Sequence, residues 1–201
     1  MARRSKPQIL KESPSQTAGP YVHIGLVPAF AGIKKVYRQD LGANTKPSGD
    51  AITISGRVID GAGEPVRDCL IEFFQADARG KMAERPIGAK GSRFTGFNRI
   101  AVNQTTGEYR LQTVKPGLVP MADGTLQAPH VTIWIVARGI NIGLHTRLYF
   151  GDEAERNAKD PILKLVPKSR IDTLLADARG KGRYHFDIRL QGENETVFFD
   201  A

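Results

Sequence analysis

Residues 107–152 read GEYRLQTVKPGLVPMADGTLQAPHVTIWIVARGINIGLHTRLYFGD, and this stretch decides the fold. Tyr109 to Val114 predicts a strand that closes at the Pro116-Gly117 turn. After a polar linker, Val131 to Ala137 gives the strongest strand signal in the chain. Branched and aromatic side chains in succession pack well on a pleated surface and favour extended backbone. The glycine-bounded turn Gly139–Gly143 then leads to a third strand, Leu144 to Phe150. Two of the four histidines, His130 and His145, stand at strand entrances here.

Working outward, Ile52 to Asp60 ends at the Gly61-Ala62-Gly63 turn, and Leu70 to Ala76 follows with Ile71, Phe73 and Phe74 as core candidates. A short strand is expected near Phe94–Ile100. Arg183 to Leu190 alternates, with Tyr184, Phe186, Ile188 and Leu190 on one face, and Thr196 to Phe199 is expected to close the chain as a strand. Residues 151–182 are the most helix-compatible region. About eight short strands separated by glycine turns, with no long helices between them, predict an all-β fold. The expected architecture is an antiparallel β-sandwich with long loops, a small barrel being the alternative. Residues 1–50 are mostly irregular and read as an extended, interface-forming N-terminal arm, with residues 51–201 as the β-sandwich domain. In the arm, Gly19-Pro20 marks a turn, and proline keeps it out of a sheet centre.

The 201 residues suffice for one domain with a sizeable core. The 21 glycines and 12 prolines suit strands and turns. The formal charge of +8 permits an acidic partner or an anionic ligand. Its basic residues are scattered, without stacking aromatics or a reading helix, which argues against nucleic-acid binding. The lone Cys69 rules out an intrachain disulfide and, among apolar neighbours, reads as a buried structural thiol. No segment is long and apolar enough to span a bilayer, so a cytoplasmic location is the default expectation.

Motifs for self-sufficient chemistry are missing. Gly61-Ala62-Gly63 runs into Glu64-Pro65 and reads as a hairpin turn rather than a phosphate loop. There is no CxxC and no HExxH. In a strand, positions i and i+2 share a face, so a His-x-His at 130–132 would supply two metal ligands from one side. The second position is Thr132, a poor ligand. His145 shares its face with Arg147, which reads as polar surface or an anion contact. His185 falls on a polar face. Read from the residues alone, the chain is a β-rich domain, oligomeric, with no complete active site of its own.

A set of motifs carries a resemblance. Ser15-Gln16-Thr17-Ala18-Gly19-Pro20-Tyr21, Gly56-Arg57-Val58-x-Asp60-Gly61-x-Gly63-x-Pro65-Val66, Glu72-x-x-Gln75-Ala76-Asp77, Lys115-Pro116-Gly117 and Leu148-Tyr149-Phe150-Gly151-Asp152 occur together in this order. The pattern resembles the intradiol ring-cleaving dioxygenases, from about Gln16 to Phe199. That resemblance implies a β-sandwich core. It also implies a non-haem ferric ion, held in catalytic chains by two tyrosinates and two histidines. The corresponding positions here are Met82, Val119, His130 and Thr132, and a catalytic arginine falls at Gln127. Three of four ligands are replaced by side chains that do not suit a hard ferric ion.

The losses resemble the non-catalytic alpha subunits of the family's hetero-oligomers. The resemblance then implies no metal and no catalytic residue in this chain. Fe(3+) is expected in a partner beta subunit, and a higher-order alpha-beta assembly acts on 3,4-dihydroxybenzoate and O2. It further implies that Thr17, Gly19, Pro20, Tyr21 and Arg138 line the partner's substrate pocket. No nucleic-acid or membrane partner is expected.

Overall fold

The computed structural model describes residues 16–34, 48–83 and 94–200. The Ser15 end of the arm motif lies outside the described residues. Two short α-helices, α1 (Val22–Leu26) and α2 (Ala154–Asn157), accompany eleven strands among them. In chain order these are β1 (Ala51–Ile59), β2 (Leu70–Gln75), β3 (Phe97–Ala101), β4 (Glu108–Val114), β5 (Val119–Pro120) and β6 (Leu126–Gln127). They continue with β7 (His130–Val136), β8 (Leu144–Phe150), β9 (Leu175–Ala178), β10 (Arg183–His185) and β11 (Ile188–Arg189).

Two layers face each other. One is β4-β1-β10, with β11 continuing beside β1; the other is β3-β2-β7-β8, and β9 joins them by pairing with both β8 and β10. Alternation dictates what lies between the layers. Ile52, Ile54 and Val58 of β1 and Tyr109 and Leu111 of β4 meet Ile71 and Phe73 of β2, Val131, Ile133 and Ile135 of β7, and Leu148 and Phe150 of β8. Full burial of each such aliphatic or aromatic side chain contributes about 1.5–3 kcal/mol. This β-sandwich is the expected fold class. Cys69 is buried in the same core, and burial raises its thiol well above the ordinary range.

Phe74, also expected in the core, alternates onto the outer face of β2 and is exposed. Four further features depart from the sequence reading. The Arg183–Leu190 segment breaks at Phe186-Asp187, yet β10 and β11 keep one register on β1, Thr53 facing Arg183 and Val58 facing Ile188, both parallel. The break lies opposite Gly56 and Arg57, where the Phe186 amide donates to Ser55 and the Arg57 amide donates to the Asp187 carboxylate at 2.9 Å. β9 lies within the stretch read as helix-compatible, because pairing on both edges outweighs the helix preference of its alanines. Thr196–Phe199 is an irregular tail that makes one isolated β-bridge to β8, Phe199 to His145, and is tied to it again by the Thr146 hydroxyl. Of the arm expected over residues 1–50, the described part is not simply extended: it runs irregularly through residues 16–19, then coils into α1 and a 3-10 turn at Pro28–Ala31, while residues 1–15 and 35–47 lie outside the described residues.

Candidate functional site

The outer face of β7 and β8 carries His130, Thr132, Arg147 and Tyr149. Cross-strand register places His130 opposite Tyr149 and Thr132 opposite Arg147. The small β5/β6 hairpin sets Val119 opposite Gln127 beside this face. The loop after β2 is docked on the chain entering β5. The Asp77 carbonyl accepts from both Gly80 and Gly117 amides at 2.9 Å. A Cβ on Gly80, whose φ is +81°, would lie 1.7 Å from the Leu118 carbonyl oxygen, so only glycine fits. Met82, two residues on, is 38% exposed.

Polar groups on this face form a chain of hydrogen bonds. His130 is buried, and its Nδ1 is 2.8 Å from the Ala128 carbonyl, which only accepts, so Nδ1 carries the proton. Burial, helped by the nearby Arg147 cation, depresses the His130 pKa despite that hydrogen bond. Arg147 donates to Gln127 Oε1 at 2.8 Å and lies 3.4 Å from the Tyr149 hydroxyl. Tyr149 is fully buried, and its phenol is raised above its ordinary range, mainly by burial. It therefore stays neutral and its hydroxyl faces Asp160 Oδ1 at 3.3 Å. Asp160 is fully buried and accepts three backbone amides, from Ala128, Ile162 and Leu163, at 2.7–2.8 Å. Nothing in the sequence reading singled out Arg147, Tyr149 and Asp160 as a group. The available signal was Asp160-Pro161, a pair that favours a turn closed on the aspartate side chain.

A second constellation joins the arm to the β7–β8 turn. Thr17 Oγ1 accepts the Gly139 amide at 2.8 Å and lies 3.3 Å from the Ala137 carbonyl. Arg138, between them, is 71% exposed and sits 3.3 Å from the Asp68 carboxylate, at ion-pair distance without hydrogen-bond alignment. Pro20, His23 and Arg138 share a cavity of about 930 Å³ with Asp68, Gln104 and Ile142. His23 is buried and contacts Gln104 at 3.0 Å, fixing α1 to the body. Tyr21 is 74% exposed and Gly19 is open to solvent, so both present themselves outward from the arm.

A dioxygenase family model matches residues 27–192. The alpha chain of protocatechuate 3,4-dioxygenase from Pseudomonas putida is 48% identical over 199 residues, covering 96% of this chain and 98% of the relative. The chain belongs to the intradiol dioxygenase family. The beta chain of protocatechuate 3,4-dioxygenase from Burkholderia cepacia is 31% identical over 166 residues, covering 76% of this chain and 69% of that one. Among solved structures, 3-chlorocatechol 1,2-dioxygenase from Rhodococcus opacus superposes with a TM-score of 0.58 over 91% of this chain and 69% of that one. At 19% identity that likeness speaks for the fold alone.

For an intradiol dioxygenase, the question is whether this face fits iron. Its donors do not. At the two positions where the family resemblance expects tyrosinates, Val119 and Met82 offer an alkyl group and a thioether, whereas a hard ferric ion requires anionic oxygen. Thr132, which the family resemblance sets at the second histidine position, pairs across the sheet with Arg147, whose fixed positive charge on the same face disfavours a second cation. Among the described residues, no three His, Cys, Asp or Glu side chains are grouped so as to hold a metal.

Proposed function

We propose that this chain is the non-iron-binding alpha subunit of a hetero-oligomeric protocatechuate 3,4-dioxygenase. The observation that carries the reading is the near full-length 48% identity to an alpha chain of that enzyme. The complex would cleave the C3–C4 bond of 3,4-dihydroxybenzoate, both atoms of O2 entering 3-carboxy-cis,cis-muconate. Ferric iron belongs to the beta subunit, where it binds the catechol and enables reaction with O2. The compartment is the cytoplasm; among the described residues no helix is long and apolar enough to cross a membrane.

This chain's own part is to complete the partner's pocket. Thr17, Gly19, Pro20 and Tyr21 form a preorganised rim, because the Thr17 hydroxyl is pinned to the backbone on both sides of Arg138. A rim fixed before binding avoids the entropy of ordering a loop around each substrate. The exposed Arg138 is placed to attract the substrate carboxylate through a charge-assisted hydrogen bond. The rival is a ligand-binding β-sandwich that works without a partner.

Iron content and protocatechuate-dependent oxygen uptake test the reading, measured on the chain alone and co-expressed with a beta chain. A colourless, inactive lone chain and an iron-coloured, active complex are expected. Stoichiometric iron or turnover in the lone chain contradicts the ligand argument, and failure to form a complex favours the binding module.

A further inference from the structure

The outer face of β8 borders a cavity of about 510 Å³ that the subunit reading does not use. That volume lies within the range of small-molecule sites. Its walls are largely apolar, formed by Leu165 from the segment after α2 and by Val197 and Phe199 from the tail. The tail is held in place as the Thr146 hydroxyl donates to the Val197 carbonyl at 2.7 Å and the Phe199 amide donates to His145 at 2.8 Å. Into this wall projects the partly buried Arg147.

Arg147 is oriented rather than neutralised. Its Nη1 is held by the neutral acceptor Gln127 and lies near the neutral Tyr149 hydroxyl. Among the described residues, no carboxylate lies within ion-pair distance of it. A half-desolvated guanidinium favours an anion with paired oxygens, because its N–H fork matches a carboxylate. A largely apolar cavity disfavours phosphate or sulfate, which carry charge on every side. His145 and Asp200 are further polar groups at the cavity. Among the described residues, Asp200 at the cavity wall competes for Arg147 directly, and the buried Asp160 reaches it only through the Tyr149 hydroxyl.

We propose that this cavity is a metal-independent binding site for a small apolar monocarboxylate, with Arg147 as the carboxylate anchor. The site belongs to this chain alone and does not depend on iron or on a partner subunit. Titration of the full-length chain with 4-fluorobenzoate, followed by fluorine NMR, tests it. Saturable one-to-one binding is expected, with no comparable binding of 4-fluorobenzyl alcohol, which keeps the ring and lacks the charge. Arg147→Met should weaken binding by roughly tenfold or more, the scale of a charge-assisted hydrogen bond.

If Arg147→Met fails to fold, Leu165→Glu decides. Leu165 is 79% exposed, so the change spares the core while placing a negative charge at the cavity. Affinity should fall in Leu165→Glu and rise in Asp200→Asn. Absence of saturable binding, equal binding of the alcohol, or indifference to Arg147→Met or Leu165→Glu overturns the proposal. Because neither iron nor a beta chain enters the experiment, its outcome is separate from that of the subunit reading.

Discussion

The Thr17 hydroxyl accepts the Gly139 amide at 2.8 Å across 122 residues of sequence. Its single proton faces two carbonyls, Ala18 at 3.1 Å and Ala137 at 3.3 Å. One side chain thus ties the arm to the turn that displays Arg138. The arm and the backbone on either side of Arg138 consequently share one contact.

Thr17→Val removes that tie while keeping the side chain's volume. Loss of about 1 kcal/mol of docking energy is expected, seen as faster chymotryptic cleavage of the arm. Thr17→Ser should restore protection. Equal cleavage of Val and wild-type chains would mean that α1, through His23, holds the arm unaided.

Arg138→Gln tests the pocket role. Arg138 is 71% exposed, so solvent screens its ion pair, but Asp68 is only 17% exposed, and a modest fall in melting temperature is expected. In the assembled enzyme, KM for 3,4-dihydroxybenzoate should rise about tenfold, the scale of a charge-assisted hydrogen bond. Turnover of uncharged catechol should be unaffected. A similar effect on both substrates would assign Arg138 to assembly instead.

Stability should fall in two stages on acidification. His130 has a folded pKa depressed by burial, with the Arg147 cation adding to the effect. The unfolded chain therefore takes up this proton first, and stability declines as pH drops through the ordinary histidine value near 6.5. His130→Gln should flatten that stage. Asp152 is held below the usual carboxylate range, since hydrogen bonds from Tyr184 and Lys115 outweigh its partial burial. Its contribution is complete above the unfolded value near 3.8 and is lost as pH falls through the lower folded value. Urea unfolding of wild type, His130→Gln and Asp152→Asn between neutral and acid pH separates the two.

Lys115→Met should be costlier than a surface change. Lys115 lies 2.7 Å from Glu153 and 3.0 Å from Asp152, and stands over the Phe150 and Tyr184 rings at 5.2 and 5.5 Å. Removing it leaves Glu153, 15% exposed, without this cation. A loss of about 1–3 kcal/mol is expected by chemical denaturation. A loss below about 0.5 kcal/mol would class the cluster with ordinary surface pairs.

Gly56→Ala addresses the sandwich itself. A Cβ there would lie 1.8 Å from the Phe186 carbonyl oxygen, which also accepts the Tyr109 hydroxyl. Backbone cannot yield as a side-chain end can, so β1 and the 186–187 break would have to separate. A loss above about 2 kcal/mol is expected. A mild effect would show that this break is pliable.

Much of this architecture was legible along the chain, and the parts that were not share a cause. β1, β2, β4, β7 and β8 declare themselves through residues whose neighbours in sequence set the alternation. β9 was hidden because its Leu-Ala-Asp-Ala composition is indifferent to strand, and two flanking strands make it one. The positions Met82, Val119, Gln127 and Thr132 could be read as losses, since a missing phenol or imidazole is a property of one residue. What fills the space could not. Arg147 reaches Gln127 only because β8 pairs with β7 in one register, and Asp160 joins Tyr149 only after the chain turns back over the sheet.

The linear order of side chains therefore determined the fold class and the family, because each depends on residue type and local period. Tertiary structure alone decided that the arm is pinned at Thr17, that Arg138 is displayed beside it, and that a guanidinium faces a cavity on the outer sheet. Those are relations between residues tens of positions apart. They exist only where sheet register and packing bring the two backbones within a hydrogen bond's length.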